Sequence, residues 1–179
     1  EVIYAAVYDK YKVVAIDGDG NCIEVIWASE MGKTHFGGRE DVIYPMALTT
    51  RTVGTNDYLI VTGREQWCTR YKGNGKCKNN SFKKNQPIMY SRNLTTGEEV
   101  FCTLDNRHRG LAEGAWSITM DDGNYLYFAA NDKIHRLGLK AEGGAYCAEG
   151  DVYVYPSLEY NSAEEIDIDP QDEGIMYNL

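Results

Sequence analysis

The chain has 179 residues, 43% hydrophobic and 12% aromatic, with 18 Gly against only 4 Pro, which suits one folded domain over residues 1–179 with a single core and many turns. A formal net charge of −9 excludes a phosphate-tracking surface, because nucleic-acid affinity rests on Lys and Arg neutralising phosphates. No run of about 18 apolar residues is present to cross a membrane as a helix, and no basic segment leads into an apolar stretch at the start.

The first residue is Glu, which reads as a processed or trimmed start. Val2 to Tyr8, Val13 to Ile16 and Cys22 to Trp27 follow as predicted strands of a three-stranded meander, separated by turns at 9–12 and 17–21. Glu24 to Met31 is the window closest to a helix, yet Val25, Ile26 and Trp27 suit a strand better. The segment from Asp17 begins like a calcium loop. Cys22 stands at its sixth position, where Gly is required, and Ala28 at its twelfth, where a bidentate Glu belongs, so it reads as a hairpin turn.

From residue 40 onward one plan recurs: a Glu, a short apolar stretch, a turn, then an aromatic strand. Glu40 to Tyr44 leads to Asn56 to Val61, Glu113 to Ile118 leads to Asp122 to Phe128, and Glu164 to Asp169 leads to Asp172 to Tyr177. Repetition on this scale points to an array or a propeller. Lys133 to Leu139 and Val152 to Tyr155 are further strands, around turns at 131–132 and 140–144. Five Lys and one Arg between Arg70 and Lys84 form a basic, solvated loop.

Five cysteines, at 22, 68, 77, 102 and 147, contain no CxxC pair, which removes the common structural zinc spacings. Cys68 and Cys77 flank a Gly-, Lys- and Asn-rich segment and are expected to close it as a local disulfide. Cys22, Cys102 and Cys147 remain, an odd number whose pairing stays open. Sequons begin at Asn79 and Asn93 in predicted loops. Together with the dispersed cysteines they point to an oxidising, secretory route and a secreted, glycosylated protein.

Residues Asp122 to Leu137 resemble a blade of the secreted six-bladed β-propellers, the group holding the YWTD, NHL and gluconolactonase-like repeats. Ile166 to Tyr177 is similar to the first half of such a blade, and Tyr4 to Asp9 with Val13 to Asp17 to the second half. The Tyr-Trp-Thr-Asp tetrad of the receptor group is absent. Spacings between Tyr4, Tyr58, Tyr125 and Met176 are 54, 67 and 51 residues, longer than a lean blade of about 40 to 45. The resemblance implies an all-β fold of four-stranded antiparallel meanders, about three blades' worth and hence a partial ring, since closed propellers have about four to eight. The remainder would come from further sequence, a cleaved second chain or a homo-oligomer mate. A β-sandwich or barrel that mimics blade spacing is the alternative.

His35 to Glu40 and His108 to Glu113 both fit H-x-G-x-x-E immediately before a first strand. In propellers that position lies near the mouth of the central channel. With Glu164 as third equivalent, Glu40 and Glu113 would converge on one axis, and converging carboxylates call for a neutralising cation such as Ca²⁺. His35 and His108 are candidate general bases, whereas His135 reads as a strand-face residue. Two functional classes follow, with a structural matrix role behind them. The first is a secreted module binding a protein, glycan or small molecule at its channel face. The second is a metal-assisted lactone or ester hydrolase, or an oxidising enzyme on a small aromatic substrate. The tyrosines supply core, or, where exposed, a surface for carbohydrate, small aromatic or protein partners.

Overall fold

A computed structural model describes residues 2–8, 12–28, 41–68, 82–104, 108, 110–113, 115, 117–130, 133–155, 166–168 and 176–178. The first sheet contains β1 (Val2–Val7), β2 (Lys12–Asp17) and β3 (Cys22–Ala28). A second contains β4 (Asp41–Val53), β5 (Asn56–Cys68), β6 (Phe82–Asn93) and β7 (Glu99–Thr103). One helical turn, α1 (Gly110–Glu113), precedes a third sheet of β8 (Ile118–Met120), β9 (Tyr125–Ala130), β10 (Lys133–Glu142) and β11 (Ala145–Val154). The ribbon β12 (Ile166–Ile168) and β13 (Met176–Asn178) ends the described chain. Within each sheet, neighbours in sequence are neighbours in space, and every pair is antiparallel. The all-β expectation and the meander plan therefore hold, and the three Glu-led segments each open a hairpin: β4 with β5, β8 with β9, β12 with β13.

Alternation along the strands sorts the core into layers. In β5, Leu59 and Val61 point to the first sheet and pack with Val13, Ala15, Ile26, Ile43 and Ile88. Ile60, between them, points the other way and packs with Ala47, Met89, Leu126, Phe128 and Leu137 of the second and third sheets. The second sheet is thus buried on both faces, which explains an unbroken buried run from Tyr58 to Thr62. On the first sheet's far side Ile3, Ile23 and Val25 are about half exposed (54%, 55% and 49%).

First strands lie beside first strands, β1 with β4, β4 with β8 and β8 with β12, while the last strands β7 and β11 also meet. A disulfide between Cys102 and Cys147 joins those last strands. Two of the three cysteines left open by the sequence are thereby paired, and Cys22 is a free, exposed thiol. Layering of this kind fits blades fanned about an axis and equally sheets laid in a sandwich or closing barrel. The Cys68–Cys77 pairing lies outside the described side chains.

Two expectations shift. The turn predicted at 140–144 shrinks to Gly143 and Gly144, whose φ values of 55° and 79° make a two-residue hairpin with Glu142 opposite Ala145. β11 therefore starts at Ala145, well before Val152, because Lys140 to Glu142 are the exposed residues of a strand and not a loop. The turn of α1 was not legible at all. Leu111 is fully buried there against the second and third sheets.

Replacing Cys102 and Cys147 together by Ala should lower stability by about 4 kcal/mol, the loop-entropy value for a closed loop of this size. The sequence separation is 45 residues. Urea denaturation of both proteins, read by tryptophan fluorescence, checks it.

Candidate functional site

The β2–β3, β4–β5, β6–β7, β8–β9 and β10–β11 turns gather at one end of the stack. Arg51, near the end of β4, pairs with Asp122 in the β8–β9 turn at 3.3 Å, and the Asn93 amide donates to the Gly144 carbonyl across from the β10–β11 turn at 3.3 Å. Three of these turns share one device, an acidic or amide side chain accepting backbone N–H groups a few residues on. Asp17 accepts from Asp19 and Asn21, Asn93 from Thr95 and Thr96, and Asp121 from Asn124 and Tyr125. The bond from the Asn21 amide is the main reason the Asp17 carboxyl sits below its ordinary range. The segment from Asp17 is thus the hairpin turn expected, closed by its own Asp.

A cleft of about 440 Å³ opens at this end, lined by Val2 and Tyr4 of β1, Thr50, Arg51 and Thr52 of β4, Asp57 of β5, and Leu94. Its walls are braced. The Thr52 hydroxyl donates to Asp57 Oδ1 at 2.6 Å, the Asp57 amide donates to Thr95 Oγ1 at 3.0 Å, and the Leu94 amide donates to the Asp57 carbonyl at 2.7 Å. Sequence reasoning passed over this cleft because its residues come from separate strands. Its one local signal was the hydroxyl-rich run Thr49, Thr50, Arg51, Thr52 in a strand otherwise apolar.

The outward face of the third sheet carries a ladder of Tyr and Arg. Tyr127, Arg136 and Tyr153 stand directly opposite one another on β9, β10 and β11. The Arg136 guanidinium lies 4.5 Å from the Tyr125 ring centre and 5.3 Å from that of Tyr153. Tyr155 meets Tyr153 edge to face at 4.9 Å. Tyr127 is buried, while Tyr125 and Tyr153 are 37% and 51% exposed. Burial, then Asp121, raises the Tyr127 hydroxyl above its ordinary pKa. Alternation places Tyr125 with Tyr127, and Tyr153 with Tyr155, on one side of their strands, and the register sets Arg136 between them.

At the opposite end lie the starts of β4 and β8. Glu40, Glu164 and His35 fall outside the described residues, as does the side chain of Glu113, so their convergence is not part of the geometry described. Among the described residues no group of three His, Cys, Asp or Glu is arranged to hold a metal ion. His108 is described, and it is buried, 5% exposed, with Nε2 3.1 Å from the Gly150 carbonyl oxygen. A carbonyl only accepts, so Nε2 carries the proton. Glu65 is a buried carboxylate, 1% exposed, which its polar neighbours Arg64 and Gln66 disguise as a surface residue in the sequence. His135 is a strand-face residue as expected, stacked on Phe128 at 4.8 Å with Nε2 donating to the Ala130 carbonyl.

Asn79 lies outside the described residues. Asn93 is 2% exposed, with its amide nitrogen turned to the Gly144 carbonyl and its oxygen holding the turn. A glycan on that nitrogen requires the turn to open.

The chain matches no family model, no curated protein and no solved structure.

Substituting Asn93 by Ala removes the turn's two amide bonds and should cost about 2 kcal/mol by chemical denaturation. Burial holds the His135 imidazole below its ordinary value of 6.5, so the unfolded chain binds that proton more readily. Its contribution is therefore complete above that value and is lost as pH falls below it and through the lower value of the folded state. Unfolding curves across that range should show stability falling with acid, and His135→Gln should flatten the slope.

Proposed function

We propose that this chain is a ligand-binding module of the secreted propeller type, its stacked meanders acting as blades. Support comes from the second sheet buried on both faces, and from first strands aligned on one side and last strands on the other. The Cys102–Cys147 disulfide suits an oxidising compartment. Binding without chemistry rests on one observation above all, the partly exposed Tyr125, Arg136 and Tyr153 ladder. Tyr rings present broad apolar faces at low entropic cost and Arg supplies a fixed fork of donors, the pairing that recurs at protein and glycan interfaces. The ring of Glu40, Glu113 and Glu164 with Ca²⁺, and a partner completing the propeller, belong to the same proposal.

A second reading is a propeller hydrolase. His108 favours it, because an imidazole with its proton held at Nε2 by Gly150 is fixed in one tautomer, as a general base must be. Hydrolysis of a simple aryl ester or δ-lactone that ceases on chelation and in His108→Gln would select this reading.

For the binding reading, purified protein and the Tyr125→Ser, Tyr153→Ser double variant are compared on glycan and protein arrays. Ligands held by the native chain and released by the variant, at unchanged melting temperature, are expected. Equal retention by both overturns it.

A further inference from the structure

The geometry points to the cleft at the turn end as a binding site for a neutral pyranose, separate from the Tyr and Arg ladder. Its lining mixes three kinds of surface. The Asp57 carboxylate offers only acceptors, the Thr50 hydroxyl either role, and the Thr52 hydroxyl, which donates to Asp57, a remaining lone pair. Tyr4, Leu94 and Val2 supply apolar surface, Val2 being 45% exposed. A sugar ring has the matching character, with hydroxyls around the edge that both donate and accept and C–H groups on its face for an aromatic or aliphatic wall.

Charge argues against an anionic occupant. On β4, Thr50 and Thr52 share the face of Leu59 and Asp57, whereas Arg51 turns to the other face and is taken up by Asp122 at 3.3 Å. Asp57 is held by the Thr52 hydroxyl and set in place by the β6–β7 turn, and an anion would meet its carboxylate. Vicinal hydroxyls, by contrast, suit this wall, one donating to the carboxylate while its neighbour hydrogen-bonds the Thr50 hydroxyl. Size agrees, because about 440 Å³ lies within the range of small-ligand sites. Preorganisation agrees as well. Asp57 is tied through its side chain, amide and carbonyl to β4 and to the 94–97 turn, so binding orders little that is not already fixed.

The test uses the full chain and three probes, the methyl glycosides of glucose, galactose and mannose, titrated by amide chemical-shift mapping. At least one should bind saturably, with shifts centred on Thr50, Arg51, Asp57 and Leu94. Asp57→Asn should weaken it about tenfold or more, the usual effect of losing a charged hydrogen-bond partner. Thr50→Val, which removes an exposed hydroxyl and keeps the shape, guards against a folding defect in the first variant and should also weaken binding. Tyr153→Ser should leave affinity unchanged. Failure of all three glycosides to bind, shifts centred elsewhere, indifference to both cleft variants, or dependence on Tyr153 overturns the assignment. Loss of array ligands with Tyr153 leaves it untouched, so the two binding proposals fail independently.

Discussion

The architecture depends on a single condition, that both faces of the second sheet are apolar. Leu59, Ile60 and Val61 are each fully buried, on alternating sides. Each contributes about 1.5–3 kcal/mol by leaving water, so neither face tolerates solvent and a neighbour is required on each. The first and third sheets take those positions. A two-sided apolar strand has a cost in specificity: a slip by one residue exchanges one apolar face for the other and meets little penalty from polarity. Register must come from elsewhere.

It comes from the turns. Asp17, Asn93 and Asp121 each fix the geometry of a reversal by capturing backbone amides, and each sits where one strand ends. Gly123, at φ 98°, completes one of them in a conformation that side chains rarely adopt, close under the Tyr146 hydroxyl. One of these reversals, held by Asn93, carries Leu94 and Thr95 and so also builds the wall of the cleft at Asp57. Fold specificity and site geometry draw on one set of residues.

That division explains what could be read in advance. Strands from Val2 to Ile16 and from Tyr125 to Leu139 carry strong apolar or aromatic patterns with turn residues between them, and they stand within a residue or two of where the pattern put them, except that β10 runs three residues further, to Glu142. α1 has four residues and no periodicity to show, and β11 hides behind the polar residues preceding it. Pairing of Cys102 with Cys147 depends on two sheets meeting at their last strands, a tertiary fact with no local trace. The cleft was invisible for the same reason, as Thr52, Asp57 and Leu94 meet only after three strands have folded. Neither the burial of Glu65, an acid among polar neighbours, nor the contact of the Asn93 amide with Gly144 has a local trace.

Asn93 also sets a clock. Its amide meets the Gly144 carbonyl, which lies 51 residues further on. Synthesis at about 5–20 residues per second delivers that partner some 3–10 s later, whereas a hairpin closes in about 1–10 μs. During that interval the Asn93 oxygen can already hold its own reversal through Thr95 and Thr96, while the nitrogen gains its acceptor only once the third sheet has been made. Order of synthesis is thus also order of assembly at this corner, which is sealed from its later half.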